Sequence, residues 1–181
     1  LGQGHLLQND PVTAEPVLET ALRVHEAVYP AGHREIAESQ FVLGQAQFSS
    51  GKLKEAEQSL LRALEASSMQ AHLIASAQMF LGRTYFQQGD PMTAEQVLEA
   101  ALRFCKAQHP TGHMDIVGSQ QWLAQVKLAN GKAKEAEDLL MEALSALPDG
   151  AARVATQSFL VQALIKQERW VDVCLLYTSP S

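Results

Sequence analysis

Apolar residues recur along most of the chain at intervals of three or four positions, with polar residues between them. This spacing places the apolar side chains on one side of an α-helix and is unlike the strict alternation of a β-strand. Glycine and proline interrupt the pattern at regular places, where helices are expected to end. The pattern therefore predicts an all-α fold without strands, in which helices pair at 34–50 with 53–67, 71–88 with 91–108, and 114–130 with 133–146.

An internal duplication organises these segments. Residues Asp10–Ser67 align with Asp90–Leu147 at an offset of 80 residues, with identity at 30 of the 58 aligned positions. Within each half, a Leu-Gly-type pair is followed twelve residues after its second member by Ala, then Leu, then Ala, as in Leu43-Gly44 with Ala56, Leu60 and Ala63. The small residues allow two helices to approach closely, so each short pattern predicts a two-helix module.

The short pattern resembles the tetratricopeptide repeat, W-x2-L-G-x2-Y…A-x3-F…P. Three complete matches begin at Leu43, Leu81 and Leu123, and partial copies begin at Leu1 and Leu160. The resemblance implies an α-α superhelix, a solenoid of antiparallel helix pairs with three full and two partial repeats. We expect one array over residues 1–173, with repeats at about 1–33, 34–70, 71–112, 113–149 and 150–173.

The repeats are longer than the usual 34 residues. The small residue of the pair recurs at intervals of 42, 38, 42 and 37 residues, and the longer intervals contain the segments YPAGH and HPTGH, from Tyr29 and from His109. Lengthened repeats joined through a proline-containing linker are similar to those of kinesin light chains. The final eight residues, 174–181, resemble the in-frame translation of a sequencing adapter, and we expect them to be a non-native tail.

Charge and composition limit the classes of partner that we expect the chain to bind. The net charge is −6, with no block of Lys or Arg, so the chain lacks the basic patch that a nucleic-acid-binding protein needs. Its sequence contains no apolar run of roughly 18 or more residues, the length that crosses a bilayer. Two cysteines, Cys105 and Cys174, make no disulfide framework, which fits a reducing compartment. We therefore expect a cytoplasmic protein that binds neither nucleic acid nor membrane.

The motifs of enzyme and metal sites are missing from the sequence. It has no glycine-rich phosphate loop, no GxSxG motif and no HExxH. His109 and His113 are separated by Pro110 and Gly112, so they do not share a helical face as zinc-protease histidines do. His33 and His113 recur at one repeat position, which indicates a role at a helix start. We expect no catalytic residue, no metal site and no cofactor.

The resemblance implies that the first helix of each repeat lines a concave face that holds a partner protein or peptide. The residues projected onto this face are mostly apolar or amide-bearing, and glutamine recurs at the ninth position of the first helix. An amide can pair with a peptide backbone because it both donates and accepts hydrogen bonds. The candidate partner-binding residues are Glu38, Phe41, Gln45, Phe48, Met79, Arg83, Phe86, Gln121, Gln125 and Gln162.

Three functions compete at this point. The first is a protein-interaction scaffold that binds a partner on its concave face, a role inferred from the fold by analogy. The second is a regulatory or docking region of a larger enzyme or signalling protein. The third is homo-oligomerisation, in which exposed aromatic residues such as Phe41 and Trp122 contact another copy of the chain.

Overall fold

A computed structural model describes residues 11–66, 70–148, 150–170 and 172–173, with side chains described from Ala14 onward. Residues 1–10 of the partial repeat that begins at Leu1 lie outside the described residues. The expected tail at 174–181 lies outside them entirely. Eight α-helices and no strand are found in the described ranges. They are α1 Pro11–Val28, α2 Arg34–Ser49, α3 Leu53–Glu65, α4 Ala71–Gln87, α5 Pro91–Gln108, α6 Met114–Ala129, α7 Ala133–Ala146 and α8 Ala151–Lys166.

These helices confirm the all-α prediction and match the six predicted helices to within two residues at every end. Their lengths follow from the sequence pattern, since each apolar stripe is closed by glycine, proline or a short polar linker. The described helices include none that is both long enough and apolar enough to span a membrane.

The chain divides into two compact units, residues 1–90 and 91–181. In unit 1, α1 packs on α2, α2 on α3 and α3 on α4, and α2 also contacts α4. Unit 2 repeats this arrangement with α5 to α8, where α6 also contacts α8. Within each unit, therefore, the first helices of two successive repeats are neighbours and share a face.

Close packing inside a repeat depends on the small residue that the sequence pattern identifies. A Cβ atom added to Gly44 of α2 would stand 2.8 Å from Cγ of Leu60 on α3, too close for the present helix separation. Leu60 is fully buried, as is its 80-residue equivalent Leu140. Unit 2 has Ala124 in place of Gly44, so its α6 and α7 accommodate one methyl group more than α2 and α3 do.

The turns and helix starts also follow the sequence prediction. Gly51 and Gly131 both have φ of +76°, in the left-handed region that residues with a Cβ resist. His33 and His113 are the N-caps of α2 and α6, and each accepts a 3.3 Å hydrogen bond at Nδ1 from the backbone N–H two residues on. The predicted helix-start role of the two histidines is confirmed.

Candidate binding surface on the first helices

An aromatic cluster joins the two first helices of unit 1. The Phe80 ring of α4 meets the Phe41 and Phe48 rings of α2 edge to face, with centroids 6.2 Å and 5.7 Å apart. Phe41 is 5% exposed and Phe48 is 8% exposed. Phe41 is therefore not the exposed aromatic residue predicted for self-association, because α4 covers it. Both side chains support the surface from beneath rather than lie on it.

Arg83 covers this cluster from α4. Its guanidinium carbon lies 4.7 Å from the centroid of the Phe48 ring and 4.8 Å from that of Phe80. A cation held over aromatic faces is attracted by their electron-rich π systems. Burial lowers the pKa of Arg83 from its ordinary value, although a guanidinium stays charged at neutral pH. The two rings thus hold a positive charge in a fixed place between α2 and α4.

Four other predicted residues of unit 1 are half-buried, so that part of each side chain reaches solvent. Glu38 and Gln45 lie on α2, and Met79 and Phe86 lie on α4. Glu38 forms an ion pair with Arg34, one helical turn earlier, at 3.1 Å. We call the surface made by Glu38, Gln45, Met79, Arg83 and Phe86 the unit 1 face. It combines apolar side chains, an amide and both signs of charge.

The predicted residues of unit 2 are three glutamines in different situations. Gln121 of α6 donates a 2.8 Å hydrogen bond from Nε2 to Oγ1 of Thr156, which is buried on α8. Its amide therefore ties two helices together. Gln125 is half-buried on α6, and Gln162 is exposed on α8. The residues equivalent to Phe48, Phe80 and Arg83 are the aliphatic Leu128, Leu160 and Ala163, so these positions supply no cation over aromatic rings.

Unit 2 instead contains an ion cluster that the sequence analysis missed. The Nζ atom of Lys127, a residue only 6% exposed, lies 2.7 Å from Glu95, 2.7 Å from Glu135 and 3.0 Å from Glu99. Burial alone would lower the pKa of Lys127, but hydrogen bonds to the three carboxylates outweigh it and raise that pKa. The cluster joins α5, α6 and α7, so its role within the fold is structural.

The 80-residue alignment contains the signal that would have predicted this cluster. Glu15, Glu19 and Glu55 of unit 1 align with the three glutamates around Lys127, whereas Lys127 itself aligns with Gln47. In unit 1 the buried Gln47 accepts a 2.8 Å hydrogen bond from the Ser59 hydroxyl. A lysine placed among three glutamates that both units share thus indicates a new ion pair.

Comparison with known proteins agrees with this architecture. The tetratricopeptide repeat profile matches residues 1–68 and 73–149. No curated protein matches the chain significantly. Among solved structures, the nearly identical TPR-like repeats of a putative kinesin light chain from Podosopora anserina superpose with a TM-score of 0.84 at 22% identity, covering 97% of this chain and 88% of that one. A single-residue variant of the same protein gives a TM-score of 0.85 at 22% identity, with coverage of 97% and 87%.

A third solved structure is BtubC (BKLC) from P. vanneervenii, with a TM-score of 0.82, 16% identity, and coverage of 96% of this chain and 72% of that one. At identities this low, the superpositions establish a shared fold and carry no information about shared binding partners. The matches confirm the predicted solenoid of tetratricopeptide repeats and the predicted likeness to kinesin-light-chain repeats.

Proposed function

This chain belongs to the tetratricopeptide repeat family, whose fold is a general protein-interaction scaffold, and on that premise we propose that it holds a segment of a partner protein against its first helices. The proposed contact surface in unit 1 is the unit 1 face. Within unit 2, taken by itself, we propose Gln125 and Gln162 as contacts on the corresponding first helices. The proposed role is non-catalytic. This role requires the described residues to provide a complementary shape, apolar surface and charge, and it requires no chemically reactive group.

The observation that carries this proposal is the position of Arg83 over Phe48 and Phe80, at 4.7 Å and 4.8 Å from the two ring centroids. A long cationic side chain normally loses rotamer freedom on binding a partner. Here the rings already restrict it, so less entropy remains to be lost. A restricted cation beside partly exposed Met79 and Phe86 favours a partner segment that presents an acidic group next to an apolar side chain.

Peptide display against the purified protein, followed by affinity measurement on the selected peptides, tests the proposal. Arg83→Glu and Phe86→Ala should each weaken the selected peptides by about 1 to 2 kcal/mol, or roughly tenfold in Kd. Lys54→Glu is the matched control, because Lys54 is an exposed cation on the second helix α3 and its reversal changes the net charge by the same amount. It should leave the affinity unchanged.

Stability must be followed alongside affinity. Leu81 is 4% exposed in the core of unit 1, and Leu81→Ala should cost about 2 to 5 kcal/mol of folding free energy. Phe86→Ala, at a half-buried position, should cost less than Leu81→Ala. The proposal fails if Arg83→Glu and Phe86→Ala remain folded by circular dichroism and bind every selected peptide with unchanged affinity.

We also propose a reducing, cytoplasmic setting. Cys105 is buried, and its Sγ atom lies 3.6 Å from the Ser119 hydroxyl. Burial raises the pKa of Cys105, which keeps the thiol protonated and unreactive at neutral pH. A thiol used as a small core residue fits a compartment where cysteines stay reduced.

A further inference from the structure

Two histidines and an aspartate meet where α5 gives way to α6. His109 follows the last residue of α5, His113 is the N-cap of α6, and Asp115 lies in the first turn of α6. Nε2 of His109 is 3.3 Å from Oδ2 of Asp115, and Nδ1 of His113 is 3.5 Å from the same oxygen. The three donor atoms all lie within 4.8 Å of one another. The sequence predicts no metal site here because the two histidines do not share a helical face, but the turn brings them together.

The two distances that join a histidine nitrogen to the Asp115 oxygen match the edges of a metal coordination sphere. Zinc binds imidazole nitrogen and carboxylate oxygen at about 2.0 to 2.2 Å, so two ligands of a tetrahedral ion stand roughly 3.3 to 3.5 Å apart. The separations of 3.3 Å and 3.5 Å already have this value. The rings are stacked, with centroids 3.9 Å apart and planes inclined by 5°, so each imidazole must tilt toward the ion. Partial exposure of both side chains leaves room for that rotation.

Unit 1 shows which of these residues the fold itself requires. The equivalents of His109, His113 and Asp115 are Tyr29, His33 and Glu35. Tyr29 stacks on His33 with centroids 4.3 Å apart, and His33 caps α2 just as His113 caps α6. A tyrosine therefore satisfies the stacking position, and the cap requires only the second histidine. Neither the stacking nor the cap therefore explains why unit 2 has a histidine at position 109.

We propose that His109, His113 and Asp115 form a binding site for a divalent transition metal of the zinc class, with water completing the coordination. Two imidazoles and one carboxylate suit zinc, copper and nickel better than magnesium or calcium. A cavity of about 160 Å³ lined by His109, Thr111 and Gly112 gives water access to the His109 side of the cluster. Metal bound there joins the end of α5 to the start of α6 and fixes the linker between them.

One local competition limits the affinity. Nδ1 of His113 also accepts the 3.3 Å cap hydrogen bond from the Asp115 N–H. An ion that takes this lone pair displaces the cap, so the site binds metal more weakly than three uncommitted donors would. The ammonium of Lys106 is also near, because it lines the same cavity, but it is paired with Glu142 at 2.7 Å. This ion pair offsets its repulsion of an incoming cation.

Isothermal titration of the chelator-treated full chain with zinc chloride tests the proposal. The wild-type protein should bind zinc in a phase that is lost, or weakened by about tenfold or more, in His109→Tyr and in Asp115→Asn. His109→Tyr places the unit 1 residue in unit 2, so the stacking and the fold should persist, which circular dichroism checks. His72→Tyr is the matched control, since His72 is exposed on α4, and it should bind zinc like the wild type.

Cobalt(II) gives an independent readout, because a tetrahedral cobalt site absorbs strongly in the visible and a loosely bound ion does not. The wild type and His72→Tyr should show these bands, and His109→Tyr should not. Tyr29→His supplies the reciprocal test, since it brings a second imidazole beside His33 and Glu35 and should add a second zinc phase. The proposal is overturned if the wild type binds no zinc, or if folded His109→Tyr binds it with wild-type affinity.

Discussion

Lys127 is paired with Glu95 inside unit 2, with Nζ 2.7 Å from Oε1 and each side chain 7% exposed. The carboxylate also accepts hydrogen bonds from Lys132 and Asn130. Burial alone would raise the pKa of Glu95, but the hydrogen bonds from Lys127, Lys132 and Asn130 outweigh it and lower that pKa from 4.5 to about 2. The ionised carboxylate is therefore stabilised specifically in the folded state.

The first prediction concerns acid. A carboxyl group whose pKa is lower in the folded state contributes stability that is complete above its unfolded pKa and is lost as the pH falls toward its folded pKa. The Glu95 contribution should therefore disappear between about pH 4.5 and pH 2. Urea unfolding of the wild type and of Glu95→Gln at several pH values measures it. The difference in unfolding free energy should be largest above pH 5 and shrink on acidification.

Glu65→Gln is the control for this experiment, because Glu65 is an exposed carboxylate. Its difference from the wild type should stay near zero over the same pH range. The raised pKa of Lys127 has the opposite sign: its contribution is complete below the ordinary lysine pKa of 10.5 and is lost only as the pH rises beyond it. A constant difference between wild type and Glu95→Gln from pH 7 to pH 2.5 would contradict the assignment.

The second prediction introduces the hydrogen-bonded glutamine and serine of unit 1 at the equivalent positions of unit 2, 127 and 139. Lys127→Gln introduces the unit 1 residue into unit 2 and leaves three carboxylates around a neutral amide, so it should cost about 3 kcal/mol of unfolding free energy. In unit 1 the equivalent Gln47 bonds to Ser59, and the equivalent of Ser59 is Leu139. Leu139→Ser should therefore harm the Lys127→Gln protein less than it harms the wild type.

A double-mutant cycle by urea unfolding gives the coupling between positions 127 and 139. We expect the new amide-hydroxyl hydrogen bond to contribute about 1 kcal/mol of favourable coupling. The Leu139→Ser single variant measures how much unfolding free energy is lost with the leucine side chain. Coupling indistinguishable from zero would show that the two units position these side chains differently, despite their sequence identity.

The sequence predicted the helices well because their signals are local. Each helix end depends on a nearby glycine, proline or cap, such as Gly51 or His33, and the duplication presents the signals twice. Exposure of the first-helix residues depends on a neighbouring helix instead. Projection of α2 alone places Phe48 on the surface, but the Phe80 ring and the Arg83 guanidinium from α4 cover it.

The same distinction explains the other site residues. Gln121 and Gln125 are both glutamines one helical turn apart on α6. Gln121 donates a hydrogen bond to the buried hydroxyl of Thr156, which lies 35 positions further along the chain. The stacked His109 and His113 depend on the path of the linker, which helical periodicity does not describe. Local patterns thus predicted the elements, whereas pairings between distant side chains required the packed structure.

The third prediction concerns the close approach of α2 and α3. Gly44→Ala should destabilise the protein by about 1 to 2 kcal/mol, because the added Cβ would stand 2.8 Å from Cγ of the fully buried Leu60. This steric cost should exceed the gain of up to about 1 kcal/mol that alanine brings to a helix. Urea unfolding monitored by far-UV circular dichroism measures the net change.

Ala124→Gly is the reciprocal control, at the equivalent position of unit 2. There the helices already accommodate a methyl group, so its removal should cost about 1 kcal/mol through lost helix propensity and a small cavity. Both substitutions should therefore destabilise, for opposite reasons. An increase in stability for Gly44→Ala would show that Leu60 moves aside easily and that glycine is not required at this contact.

The fourth prediction compares two linker glycines with the same backbone conformation. Gly32 has φ of +80° and Gly112 has φ of +86°, so alanine at either position should cost about 1 kcal/mol for adopting the left-handed region. Their surroundings differ. A Cβ at Gly112 would stand 2.8 Å from the carbonyl oxygen of Ala146, whereas at Gly32 no described atom lies within 4 Å of it.

Gly112→Ala should therefore cost about 1 to 2 kcal/mol more than Gly32→Ala, since the Ala146 carbonyl belongs to the backbone at the end of α7 and yields less readily than a side chain. Urea unfolding of the two variants in parallel measures the difference, and the shared backbone term cancels. Equal losses would mean that the linker before α6 moves away from α7 without strain. The contact between Gly112 and Ala146 would then not be what holds this linker in place.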